Sequence, residues 1–233
     1  MQIEIGGAVN MNIEFKLEVD LVNCFLKTYF LEKEETIIEE MPIRFGNIDV
    51  VSIKSISLPF NKQQILVLSK PANALLFTLI KNSRPISKGR LIKRAGLSES
   101  TINNVLYELQ NVHLIKKQAE NYIRNEIFVF PKTTITGYEA KLKDFNKAYF
   151  QAKNNKDYVD YSYLVFPDKV AKNILSKKRE LLEKNGIGLI SVSLFSSKIL
   201  LKAKKTDNVS NYIRLLNIAK ANSFCMTSKG IRE

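Results

Sequence analysis

Two short stretches, ninety residues apart, constrain the fold of this 233-residue chain more than anything else in it. The first is Gly46-Asn47-Ile48-Asp49-Val50-Val51 and the second is Gly137-Tyr138-Glu139-Ala140-Lys141. Each reads as a β-strand in which apolar residues surround a carboxylate. Between them the periodicity changes to three apolar-faced helices followed by a basic hairpin. The two strands can share a sheet only if that intervening segment is an insertion. Its ends, near Leu58 and Pro131, must then lie close together.

The length allows one large domain or two modest ones. Hydrophobic residues make up 45% and charged residues 25%, enough for a core and a solvated surface. No segment approaches the ~18 consecutive apolar residues of a membrane span, and the N-terminus lacks the basic-then-apolar pattern of a secretory signal. The expectation is a cytoplasmic protein with no membrane partner. Two cysteines, Cys24 and Cys225, do not make a disulfide framework or a zinc site. With His113 the only histidine, histidine-rich metal sites and Ser-His-Asp catalysis are nearly excluded.

The net charge of +13 is unevenly spread. Residues 1–57 carry −5, residues 58–130 carry +7 and residues 131–233 carry +11. A basic body with a local acidic segment suits a polyanion binder that also gathers carboxylates for a cation.

Before the first strand, Phe15, Leu17, Leu21, Val22, Phe25, Leu26 and Tyr29 recur at helical spacing, which predicts a helix over 12–30 with Glu14 and Glu18 one turn apart. Strands are expected over 36–42 and 48–54, joined by a turn at Gly46-Asn47. In the insert, Ser69-Lys70-Pro71 reads as a helix start with Ser69 as N-cap. Ser87 caps a second helix that Gly96 ends, and Ser98 caps a third. The chain turns into a strand over 111–115, residues 116–120 and 122–130 read as a basic two-stranded hairpin, and His113 is expected at positive φ. After the insert the order is strand 133–142, helix 143–155, strand 161–166, a helix from Pro167-Asp168 to Asn185-Gly186, strands 187–193 and 198–203, and a helix over 209–222. A frayed tail is expected from Thr227.

Residues i and i+2 of a strand share a face, so Glu139 and Lys141 point the same way, with Gly137 beside them where a ligand could approach the backbone. If the two strands pair, Asp49, Glu139 and Lys141 converge. Two carboxylates and the Ala140 carbonyl are hard oxygen ligands suited to Mg²⁺, with Mn²⁺ as a substitute. Such an ion would activate water, and Lys141 would orient it or stabilise the developing charge.

This arrangement resembles the PD-(D/E)xK nuclease superfamily over about residues 12–57 and 131–205. Asp49 matches the metal-binding Asp of that family, and Glu139 and Lys141 match its Glu-x-Lys. The resemblance implies a restriction-endonuclease-like α/β fold, a mixed sheet flanked by helices. It also implies a further metal-site Glu on the first helix, best matched by Glu18, and a site-facing Gln matched by Gln151. Ile48 stands where the Pro of the family name would be. The insert over 62–130 resembles a winged helix-turn-helix, with His113 in place of the usual Gly. That likeness implies DNA-groove contacts from Glu99, Ser100, Asn103, Asn104 and Tyr107. It implies phosphate contacts from Lys88, Arg90, Lys93, Arg94, Lys116, Lys117 and Arg124.

The expected organisation is thus a discontinuous nuclease-like domain, 1–57 and 131–233, interrupted by an α+β DNA-binding domain, 58–130. The expected function is metal-dependent endonuclease action on double-stranded DNA, restriction-like or in repair. A homodimer would cut both strands. The alternative is a sequence-specific DNA-binding regulator whose nuclease fold is non-catalytic. An RNA-directed nuclease would instead prefer structured RNA.

Overall fold

A computed structural model describes residues 15–30, 35–44, 46–207 and 209–229. Residues 12–14 of the first expected helix, including Glu14, and residues 230–233 of the expected tail lie outside them.

Six strands form one mixed sheet in the order β1-β2-β6-β7-β8-β9. β1 (Thr36–Ile43), β2 (Gly46–Lys54) and β6 (Thr134–Ala140) are antiparallel neighbours. β7 (Tyr161–Pro167) and β8 (Gly188–Ser193) run parallel to β6, and β9 (Ser196–Leu201) closes the far edge antiparallel. The parallel strands are connected through α6 (Phe145–Asn155) and α7 (Asp168–Asn185), as parallel neighbours require. Along β7 the side chains alternate. Tyr163 and Val165 pack with Leu21 and Phe25 of α1 (Glu18–Tyr29), whereas Leu164 and Phe166 pack with α6 and α7. The molecule is therefore α/β, with a mixed sheet covered by helices on both faces.

The chain leaves this sheet after Lys54 and re-enters it at Thr134, and these two residues stand opposite each other in the β2–β6 ladder. Between them lie α2 (Lys62–Leu68), α3 (Pro71–Leu79), β3 (Ile86–Ser87), α4 (Lys88–Ala95), α5 (Glu99–Asn111), β4 (Ile115–Gln118) and β5 (Asn121–Arg124). The three strands make a small sheet, β3-β5-β4. Ser87 and Ser98 accept from the backbone N–H of Arg90 and Thr101, so both act as the expected N-caps. Gly96 ends α4 in the left-handed region, and His113 has φ 58°.

Local readings differ in five places, one being that the last helix runs on to Lys229 and does not end near 222 with a frayed tail from Thr227. The β1–β2 turn precedes Gly46-Asn47, because Ile43 is already paired with Gly46, whose φ is 100°. Helix α2 was not foreseen; Asn61 caps it and Gln64 completes a capping box. Ser69 therefore ends α2, and the N-cap of α3 is Lys70. The second hairpin strand stops at Arg124, short of Phe130.

The last helix, α8 (Asn211–Lys229), joins the two parts. Its Leu215, Leu216, Ile218 and Ala219 lie in the core of the insert, with Leu68, Leu76, Phe77, Ile102 and Leu109. Ala221 packs instead with Ile38, Val51, Ile53 and Ile135 of the large sheet. Polar contacts tie α8 to the sheet as well. Asn217 donates to the Tyr158 carbonyl, Lys220 donates to the Pro42 carbonyl, and Arg214 forms an ion pair with Asp160. The strip from 215 to 219 thus serves the core of a segment that ends almost ninety residues earlier.

Candidate active site and cationic surface

The β2–β6 ladder ends at Val50 opposite Tyr138. One residue further, the Asp49 side chain takes over, and its Oδ2 accepts the Ala140 backbone N–H at 2.9 Å. Just beyond β6, the backbone N–H of Lys141 donates to the Val165 carbonyl, which keeps the chain in line with β7. Lys141 is buried, and its Nζ donates to Asp49 Oδ2 at 3.0 Å and to the Ala140 carbonyl at 2.8 Å. Glu18 Oε2, from the first turn of α1, stands 3.5 Å from the same ammonium. Burial alone would lower the Lys141 pKa, but Asp49, Glu18 and Glu139 outweigh it and the net shift is upward. The ammonium therefore stays charged.

Glu139 is completely buried. Its Oε1 accepts from Asn155 Nδ2 at 2.6 Å, and its Oε2 is buried with no hydrogen-bond partner among the described residues. Desolvation, then the adjacent Asp49 carboxylate, push its carboxyl up to about 8, with Asn155 and Lys141 pulling the other way. A buried carboxylate oxygen without a partner is costly unless a proton or a cation reaches it.

The structure thus gathers Asp49, Glu139, the Ala140 carbonyl and Lys141, and brings Glu18 to the lysine. Glu18 stays half exposed on the outer side of that lysine. No group of three or more His, Cys, Asp or Glu side chains able to hold a metal ion occurs among the described residues. What meets here is two carboxylates and a main-chain carbonyl, hard oxygens of the kind Mg²⁺ takes, with Asp49 Oδ2 and the Ala140 carbonyl held by Lys141 Nζ and Glu139 Oε2 without a hydrogen-bond partner among the described residues.

Gly137 has another role than the one expected. A Cβ there would stand 3.3 Å from Ile48 and Val159 side-chain atoms, so the position serves packing and gives no opening to a ligand. Gln151 lies on α6, and its Oε1 is buried without a hydrogen-bond partner among the described residues. The amide that grips Glu139 is Asn155, one turn later, which sequence reasoning missed. The available signal was the i, i+4 spacing of two amides on one helix face.

On the insert, Asn103, Asn104 and Tyr107 are exposed along α5, Tyr107 by 67%. Ser100 is exposed and shares a hydrogen bond with Ser98. Arg90, Lys93, Arg94, Lys116 and Lys117 are exposed, whereas Lys88 pairs with Glu99 at 2.7 Å.

Arg124 does not belong with these surface cations. Its residue is 7% exposed and its guanidinium lies 4.5 Å from the Phe77 ring centroid. Nε donates to the Phe77 carbonyl at 3.0 Å, satisfying a carbonyl at the end of α3. A phosphate contact from Arg124 is therefore withdrawn. Arg124→Ala is expected to cost about 2 kcal/mol of stability by loss of this buried bond and packing. Urea denaturation measures that loss, and duplex affinity of the folded fraction should change less than about twofold.

No protein-family model, curated protein or solved structure matches this chain.

Proposed function

We propose that the chain is a metal-dependent endodeoxyribonuclease of the PD-(D/E)xK type, aimed at duplex DNA by an inserted winged helix-turn-helix. The observation that carries this reading is the meeting of Asp49, Glu139 and Lys141 at the end of the β2–β6 ladder, with Glu139 Oε2 buried and unpartnered. Asp49, Glu139 and the Ala140 carbonyl are the residues that would hold Mg²⁺, or Mn²⁺ in its place. When bound, the ion supplies an acidified water and neutralises charge on the phosphate. Asn155 fixes one Glu139 oxygen and so aims the other. Lys141 carries a positive charge at the place where phosphate charge develops, and Asp49, with a smaller contribution from Glu18, keeps it protonated against the effect of burial. Asn103, Asn104 and Tyr107 face the major groove, and a basic surface tracks the backbone.

The test is supercoiled plasmid with Mg²⁺ or Mn²⁺. Nicking by the wild type should fall by at least about a hundredfold in Asp49→Ala and Lys141→Ala, while duplex binding persists. A second reading, a non-catalytic DNA-binding regulator, draws support from the Lys141 ammonium. It already occupies both Asp49 Oδ2 and the Ala140 carbonyl. Tight duplex binding with no metal-dependent cleavage would select that reading.

A further inference from the structure

The insert contains a second concave site. Its cleft of about 450 Å³ lies between the end of α3, the loop into β3 and the outer face of α4. Five cations line it, Lys81 and Arg84 from the loop and Arg90, Lys93 and Arg94 from α4, with no carboxylate among the lining residues. None of the five forms an ion pair among the described residues. Elsewhere on the insert three lysines find acids: Lys70 pairs with Glu108, Lys88 with Glu99 and Lys117 with Glu120. Those three carboxylates are engaged away from the cleft, so its positive charges repel one another without internal compensation.

The cleft is also held in shape. Arg124 donates to the Phe77 carbonyl, and Asn82 donates back to the Arg124 carbonyl, which anchors the start of the loop. The far end is pinned by the pairing of Ile86 with Tyr122. On α4, Arg90 is one turn from both Lys93 and Arg94, and the three fall within one sector of the helix beside buried Leu91. Three arginines supply planar forks that match phosphate oxygens two at a time. Leu79, Pro85 and Ile86 add an apolar wall. The volume falls in the range of sites that enclose small ligands.

We propose that this cleft binds the phosphate groups of a nucleotide, carried on a nucleic-acid strand or free, with the sugar or base against Leu79, Pro85 and Ile86. The site shares Arg90, Lys93 and Arg94 with the basic surface of the proposed DNA reader, but it needs neither metal nor Asp49. It extends the cationic surface to Lys81 and Arg84.

Calorimetric titration with tripolyphosphate and with ATP, and anisotropy with a labelled duplex, test it in the full chain. Wild type should bind both small anions, and ATP more tightly than tripolyphosphate. Arg84→Ala and Arg94→Ala should each weaken that binding about tenfold without shifting the melting temperature, since both side chains are exposed. If ATP also displaces the duplex, the cleft takes strand phosphates; if it binds while the duplex is retained, the cleft takes free nucleotide. No binding of either anion, or binding unchanged by both substitutions, overturns the proposal. Asp49→Ala should leave anion binding intact, so failure of the nuclease reading is seen separately.

Discussion

Replacing Arg214 by alanine is expected to remove about 3–5 kcal/mol of stability. Asp160 is 1% exposed, and it accepts from both Arg214 nitrogens, at 2.6 and 2.9 Å, and from the Ile135 backbone N–H at 2.9 Å. Removing the guanidinium leaves a buried carboxylate that the Ile135 N–H cannot balance alone. The pair also joins α8 to the strand-initiating turn of β7, so its loss loosens the helix that completes two cores. The pH dependence has a definite sign. Burial alone would raise the Asp160 pKa, but Arg214 and Ile135 hold it below the usual carboxylate value. This contribution is fully present above the unfolded Asp pKa and is lost as pH falls through the lower folded value. Without Arg214 the balance reverses, so the deficit of the variant should shrink as acid protonates Asp160. Denaturant unfolding of both proteins from about pH 7 downward measures this. A deficit below about 1 kcal/mol at neutral pH would contradict it.

Glu139→Gln is expected to do two opposite things at once. It should abolish nicking and stabilise the protein at mildly alkaline pH. In the metal-free protein the Glu139 carboxyl is raised to about 8 by burial and by Asp49. A raised acid binds its proton more tightly when folded, so stability from this group falls as pH climbs from its unfolded pKa, near 4.3, towards the folded value. The amide has no charge to desolvate. The variant should therefore be more stable than wild type above about pH 8, by an amount on the order of 2 kcal/mol. Mg²⁺ should then raise the melting temperature of wild type, because a ligand of the folded state stabilises it, and should leave Glu139→Gln unmoved. Equal responses of the two proteins to Mg²⁺ would remove Glu139 from the metal site. This readout does not depend on cleavage.

What could be read in advance follows a physical division. The caps Ser87 and Ser98, the Gly96 terminus and the positive φ of His113 are local, set by a few adjacent residues, and they stand where expected. The near-continuous apolar run of β7 fits a strand buried on both faces between parallel neighbours, whereas the order of the strands in the sheet is a tertiary quantity. Arg124 reads as a surface cation because its neighbours Lys116 and Lys117 are; only the fold shows that it turns inward beneath Phe77. Gln151 and Asn155 share a helix face, and which of them meets Glu139 depends on how far α6 slides along β6. That register is a tertiary quantity with no local signature. Helix α2 was hidden because Ser69-Lys70-Pro71 also makes a plausible helix start, and the Asn61–Gln64 box lies just before it.

The place of α8 bears on the order in which the molecule matures. The insert closes its apolar interior with Leu215, Leu216, Ile218 and Ala219. At ribosomal speeds of about 5–20 residues per second, that strip emerges roughly 5–20 s after the insert itself is complete. During that interval Leu68, Leu76 and Phe77 wait with an uncovered face. A fragment ending near residue 130 should therefore be poorly soluble and unable to fold alone, whereas a fragment rejoined with a peptide of α8 should recover. On this packing the insert is expected to become native only together with α8.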